Sequence, residues 1–240
     1  MVKNKQSYYV SELLESRTNR FHGFSTRVYG DMRRETNRQS FLRESDRLLI
    51  PEQIHGNRVK TIDSLSISPV ISADGLVLHT SHSHNHSVVL GVLVADCVPL
   101  LFADKKNNSI AVAHAGWKGS YGNIAGNVVR QMVVCGTRVE DIIVVIGPHI
   151  GMCCYDVPED RVKQVQLVYG ADEKVACKTG GLWHMDIGYM NLLQLKRAGI
   201  LEQHIDASPS CTSCQHDLFY SYRKDTKKTF GEIMGVIGFI

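Results

Sequence analysis

The stretch Asp96-Cys97-Val98-Pro99-Leu100-Leu101-Phe102-Ala103-Asp104-Lys105-Lys106-Asn107-Asn108-Ser109-Ile110-Ala111-Val112-Ala113-His114 decides how this chain is read. Two apolar runs, Leu100 to Ala103 and Ile110 to Ala113, flank a polar cluster from Asp104 to Ser109 of the kind that turns a chain back between strands. Pairing Asp104 with Ser109 puts Pro99 opposite His114 and brings Cys97 to the same end of the ribbon. A thiol beside an imidazole is a nucleophile with its base, two ligands of a soft metal, or a buried cysteine next to a hydrogen-bonded histidine. Gly116 and Gly119, either side of Trp117, mark close backbone approach and favour a site over core filling.

Working outward, Val77-Leu78, Val88 to Val94 and Ile142 to Ile146 are short runs rich in Val, Leu and Ile that read as strands of a buried sheet. Phe21 to Arg27 is a strand-like entry, and the charged segment from Asp31 to Arg47 fits one helix. Ser120 is expected to cap a helix through Ile124, Val128, Val129 and Met132, stopped by Gly136. Further helices fit Asp160 to Val168 and Tyr189 to Arg197, the latter closed by Gly199. Strands alternating with helices, together with an antiparallel hairpin, predict the α/β class: a single layered domain over residues 1–240 with a mixed β-sheet and flanking helices.

Composition narrows the function. At 240 residues and 43% hydrophobic the chain is long enough for one sizeable core and is not a disordered chain. A net charge of +3 gives no basic stripe, which argues against nucleic acid as a partner. No apolar run approaches the roughly 18 residues that span a bilayer, so no membrane partner is expected. The seven cysteines are an odd number, and the opening Met1 to Gln6 is polar without an apolar core. A cytoplasmic protein with reduced thiols follows as the expectation.

A third candidate joins Cys97 and His114. His55, in Gln53-Ile54-His55-Gly56-Asn57-Arg58, reads alone as a loop histidine, but one thiolate and two imidazoles leave a tetrahedral Zn²⁺ with one open position, as in catalytic sites. His55, Cys97 and His114 are therefore both the catalytic and the metal-ligand candidates. Lys118, Gly119 and the helix expected from Ser120 suggest an anion site beside them. Arg58 would add a cation if His55 lines the site, and otherwise is a solvated loop residue. Of two further cysteine groups, Cys153-Cys154 and Cys211-Thr212-Ser213-Cys214, the second is a lone CxxC that reads more readily as packing or a loop end than as a metal or redox motif. The tract His79, His82, His84 and His86 reads as a solvated loop.

Several ordered blocks carry a family likeness: Gly23-Phe24-Ser25-Thr26-Arg27, Gln53-Ile54-His55-Gly56, Ala73-Asp74-Gly75, Ala95-Asp96-Cys97-Val98-Pro99, His114-Ala115-Gly116-Trp117-Lys118-Gly119, Ile146-Gly147-Pro148 with Cys154-Tyr155, Cys211-Thr212 with Cys214, and Phe219-Tyr220-Ser221-Tyr222-Arg223. By these the chain resembles the YfiH family, also called the polyphenol oxidoreductase laccase or purine nucleoside phosphorylase family. The resemblance implies a layered α/β fold and a zinc site whose His, Cys and His ligands match His55, Cys97 and His114. It further implies phosphorolysis of adenosine, inosine and methylthioadenosine, with adenosine deamination, so that a purine nucleoside and phosphate are the partners. Two departures stand out. The glycine-rich segment that the family carries after Thr-Arg is shortened here between Arg27 and Asn37. His149 stands where the family often has a small residue or cysteine, and adds an imidazole that would act as acid or base on substrate, or pack.

Two other functions fit the same residues: a metal-free cysteine hydrolase acting on a cell-wall precursor, with Cys97 as nucleophile and His114 as base, and a copper-dependent polyphenol oxidase, since a His₂Cys set holds copper as well as zinc. Eleven histidines, four of them in one tract, are a poor supply for a multicopper cluster.

Overall fold

The computed structural model describes residues 2–5, 7–44, 46–62, 71–79, 88–106 and 109–239. In chain order its strands are β1 (Val2–Lys5), β2 (Tyr8–Ser11), β3 (Arg20–Ser25), β4 (Arg47–Leu49), β5 (Val59–Ile62), β6 (Gly75–His79), β7 (Val88–Val94), β8 (Val98–Asp104), β9 (Ser109–Ala115), β10 (Ile142–Ile146), β11 (Asp156–Val157), β12 (Ala176–Thr179), β13 (Leu182–Met185), β14 (Ile205–Ala207) and β15 (Ile233–Phe239). The helices are α1 (Glu12–Arg17), α2 (Glu35–Phe41), α3 (Trp117–Tyr121), α4 (Ile124–Val134), α5 (Glu159–Tyr169) and α6 (Ile187–Arg197).

The class is α/β with mixed pairing and flanking helices, as expected, and the strands divide into two large sheets and a small third one. One six-stranded sheet runs β1-β2-β3-β15-β7-β4, the other β14-β10-β8-β9-β6-β5, and a small third sheet runs β11-β13-β12. Parallel pairs (β4 with β7, β5 with β6, β10 with β14) make both large sheets mixed. Every residue of β8 and β9 is buried, which is why their sequences are continuous apolar runs. Alternation then sorts the faces. Leu100, Phe102, Ala111 and Ala113 join the core under α4, α5 and α6, whereas Leu101, Ala103, Ile110 and Val112 face the first sheet beside Phe24, Leu90, Val92 and Ile237. Outside the first sheet, Met32 and Phe41 cover Val89, Met234 and Val236. The layers are therefore the segment holding α2, sheet, sheet, and the long helices.

The hairpin register is the one expected, with Pro99 opposite His114 and Ala103 opposite Ile110. Asn107 and Asn108 of its turn lie outside the described residues, as do His82, His84 and His86. His79 ends β6, its Nδ1 2.7 Å from Ser109 Oγ.

Two helix expectations need correction. The segment from Asp31 to Arg47 is not one helix. Helix α2 takes only Glu35–Phe41, because the Asp31 carboxylate turns back onto the Arg33 N–H and Arg47–Leu49 pairs with β7 instead. Nor does Ser120 cap a helix. It lies inside the single-turn α3, capped by Gly116, while α4 starts after Asn123 in the left-handed conformation (φ 64°). Ser120 is instead a buried polar hub: its carbonyl accepts from Tyr169 Oη (2.7 Å) and Gln194 Nε2, and its hydroxyl from Asn191 Nδ2 (2.8 Å). These bonds fasten α3 to α6. The stop signals do act as expected, with Gly136 (φ 94°) and Gly199 (φ 90°) closing α4 and α6.

Phe24 is fully buried between the sheets, and a Cβ on Gly147 would run into its ring. We expect Phe24→Ala to cost about 3–5 kcal/mol in urea unfolding. Leu167→Ala on α5, where the side chain is 83% exposed, should change stability by less than about 0.5 kcal/mol.

Candidate active site

A cleft of about 550 Å³ opens at the end of the hairpin where Cys97 and His114 lie. His55, Cys97, His114 and Lys118 all line it, together with Gln53, Trp117, Ile150, Tyr155, Tyr222, Arg223, Phe230 and Glu232. The size suits a small organic substrate.

His114 is 2% exposed and is aimed by Asp74, a fully buried residue at the start of β6. Its Nδ1 lies 3.0 Å from Asp74 Oδ1, an arrangement that puts the proton on Nδ1 and leaves the Nε2 lone pair free. The same carboxylate accepts the backbone N–H of His55 at 2.9 Å and of Gly56 at 2.7 Å. One side chain thus orients the His114 ring and anchors the backbone that carries His55, and the two rings meet edge to face with centroids 4.8 Å apart. Burial raises the Asp74 carboxyl, but its bonds from His114, Gly56 and His55 outweigh that and hold it below the usual carboxylate range. Burial pulls His114 the other way, below its ordinary value, against the pull of Asp74.

Cys97 follows Asp96, whose φ of 82° is uncommon outside glycine. Three bonds hold that conformation: Asp96 accepts from Thr212 Oγ1 (2.6 Å) and the Arg223 N–H (2.7 Å) through its carboxylate, and from the Ile150 N–H (3.0 Å) through its carbonyl. Without a metal, burial first, then the charges of Asp96, Glu232 and Asp74, push the Cys97 thiol up to about 12. Gly116 leaves space between the groups, for a Cβ there would sit 3.2 Å from Cys97 Sγ and 3.6 Å from His114 Cε1. A soft cation suits this donor set of one sulfur and two imidazoles. Among the described residues, however, the group whose donor atoms all lie within 4.8 Å of one another is a different one: Cys153, Cys154, Cys211 and Cys214. His55, Cys97 and His114 share the cleft more loosely.

The remaining expected residues divide. Lys118 is exposed at the rim. Gly119 is buried outside the cleft, where a Cβ would strike the Gly56 carbonyl, so it lets α3 sit against the His55 loop. Arg58 is exposed and does not line the cleft. Its carbonyl serves instead, accepting from the N–H groups of Asp74 and Gly75. His149 does not line the cleft either. It is 9% exposed, with Nδ1 2.7 Å from the Gly147 carbonyl and its ring against Gly188 of α6. The expected long helix aimed at the site is replaced by α3, and the start of α4 is occupied by Gln194, whose Oε1 accepts the Ala125 N–H (3.1 Å).

The profile of the family described as multi-copper polyphenol oxidoreductase laccase matches residues 23–240. The chain belongs to this family. Among its relatives, purine nucleoside phosphorylase YlmD of Geobacillus stearothermophilus is 32% identical over 208 residues, covering 80% of this chain and 72% of that protein. Adenosine deaminase RL5, from an unknown prokaryotic organism, is 33% identical over 189 residues, covering 75% and 70%. The crystal structure of Bacillus licheniformis hypothetical protein YfiH superposes with a TM-score of 0.85 at 25% identity, covering 100% of this chain and 99% of that one. The YfiH family therefore accounts for the fold, and the two relatives quoted are named for purine nucleoside phosphorolysis and adenosine deamination. Among the described residues no helix is long and apolar enough to cross a membrane.

Three residues of the site had no role assigned from the sequence: Asp74, buried behind the cleft, and Arg223 and Glu232, which line it. Asp74 and Arg223 stood only within family blocks. Glu232, whose carboxyl is raised by burial, had no signal beyond being a charged residue abutting the apolar run of β15.

Two expectations follow. Asp74→Asn should lower the affinity for a metal at His55, Cys97 and His114 by about 10–100-fold, measured by competition with a chelator. His149 is held below its ordinary value by burial, so the unfolded chain takes up its proton first on acidification. Its contribution to stability is full above about pH 7 and is lost as the pH falls through the His range. His149→Gln should flatten the difference in urea stability between about pH 7.5 and pH 5.5.

Proposed function

We propose that this chain is a zinc-dependent purine nucleoside phosphorylase acting on adenosine, inosine and methylthioadenosine, with adenosine deaminase activity, and that it works in the cytoplasm. The observation that carries the reading is the Asp74 carboxylate, which orients the His114 ring and holds the backbone of the His55 loop, so that both histidines stand at one cleft beside Cys97. The donor set suits zinc, with His55, Cys97 and His114 as its ligands, and the bound ion would supply a Lewis acid with an open position.

The chain's own groups supply the rest. Trp117, Tyr155, Tyr222 and Phe230 offer flat apolar surface for a purine, Tyr222 and Phe230 meeting edge to face at 5.7 Å. Lys118 and Arg223 are the cations at the cleft for a phosphate, although Arg223 also pairs with Asp156. In phosphorolysis a phosphate oxygen bonds to ribose C1′ as the bond to the purine nitrogen breaks, and the departing base takes a proton. Glu232, a carboxyl raised by burial at the cleft, is the group we assign to that proton. In deamination water adds at purine C6 and ammonia leaves.

The two rival readings have less support. A thiol pushed up to about 12 is neutral near pH 7 and a poor nucleophile, which counts against a metal-free cysteine hydrolase. For a multicopper oxidase the cleft offers only two imidazoles among the described residues, His55 and His114.

Cys97→Ala and His114→Ala should each abolish both reactions. Lys118→Ala should slow phosphorolysis about 5–150-fold, matching roughly 1–3 kcal/mol for a charge-assisted contact, and spare deamination. The check is to measure adenine, ribose 1-phosphate and inosine from adenosine across a phosphate titration. Equal losses in both reactions remove Lys118 from the phosphate site, and full turnover by a metal-free sample overturns the zinc reading.

A further inference from the structure

Cys153-Cys154 follow the loop after β10, and Cys211-Thr212-Ser213-Cys214 form a turn almost sixty residues later. The fold brings all four sulfurs within 4.8 Å of one another. Cys214 Sγ lies 3.5 Å from Cys153 Sγ and 3.4 Å from Cys154 Sγ. A disulfide needs about 2.05 Å, whereas zinc held by four thiolates at about 2.3 Å spaces its sulfurs about 3.8 Å apart. The observed separations stand close to the second value. All four cysteines are free thiols, and Cys153 and Cys214 are exposed, so the cluster is not core packing.

The surrounding backbone is shaped to the sulfurs. The Gly151 N–H donates to Cys211 Sγ at 3.2 Å, a contact that favours a thiolate. A Cβ on Gly151 would lie 3.3 Å from Cys153 Sγ and 3.6 Å from Cys211 Sγ, so glycine keeps that approach open. We propose that Cys153, Cys154, Cys211 and Cys214 form a tetrathiolate zinc site, separate from the candidate active site and without an open position. Four protein ligands make it structural.

What it would hold is one wall of the cleft. The first loop carries Ile150 and Tyr155, and the second segment leads to Tyr222 and Arg223. Cross-linking the two fixes that wall against Asp96, which bonds to both segments and immediately precedes Cys97. The inference does not depend on which reaction the cleft catalyses.

The test measures zinc per chain in protein made in zinc-supplemented medium, for wild type, Cys97→Ala and the double variant Cys153→Ser/Cys214→Ser. The double variant should lose one zinc equivalent that Cys97→Ala retains. Cobalt-exchanged Cys97→Ala should show the intense thiolate-to-cobalt charge-transfer band of a tetrathiolate, absent from the double variant. Should the double variant misfold, wild type suffices: titration with an organomercurial should release that zinc as the four thiols react, and removing it should lower the thermal midpoint. Unchanged zinc in the double variant overturns the proposal. So does wild type in which the four thiols react with no metal released, or an intact mass lower by two hydrogens from a disulfide within the cluster.

Discussion

One buried carboxylate organises the candidate site. Asp74 accepts from the His114 ring and from two successive backbone N–H groups at His55 and Gly56, so it joins β6, β9 and the His55 loop at one point. A charge with no exposure is costly unless its lone pairs are filled, and here three donors fill them. The consequence is positional. The His114 ring cannot turn, and the His55 backbone cannot shift, without leaving part of that carboxylate unpaired.

Asp96 plays a matching part on the other side of the cleft, taking a left-handed backbone to present Cys97 and spending its oxygens on Thr212, Arg223 and Ile150. Between the two aspartates stand the sulfur and nitrogens of the site. Ser120 completes the frame from behind, fastening α3, and with it Trp117 and Lys118, to α6. The floor of the cleft thus rests on polar contacts at the rim of an apolar sandwich, where strand ends free the backbone from ladder pairing.

The centre of this arrangement was legible in the sequence because it is local. The turn between Asp104 and Ser109 fixes the pairing of Pro99 with His114 by counting alone, and fully buried strands announce themselves as unbroken apolar runs. The Ser120 cap was misread because a serine before an apolar helix has the same signature whether it caps or faces inward, and only the partners from α5 and α6 decide. The second sheet was not separable from the first, since continuous apolar strands look alike in either. Arg58 was drawn toward the site by its proximity in sequence to His55, and His149 by standing where the family often has a small residue or cysteine, yet one is exposed outside the cleft and the other packs on α6. The four-cysteine cluster was hidden for the opposite reason: its halves are distant in sequence, and each half alone is a weak motif.

The placement of β15 bears on how the molecule comes together. Residues 233–239 are the last strand in sequence but an interior strand of the first sheet, hydrogen-bonded to β3 on one side and β7 on the other. Until they arrive, β3 and β7 present facing open edges with no partner between them. Loop closure over more than two hundred residues must precede that ladder, so the first sheet is the high-contact-order part of the fold and the hairpin of β8 and β9 the low-order part. The site's central ribbon can form early and from neighbours in sequence, whereas the sheet behind it waits for β15, with unpaired edges exposed to other chains in the interval.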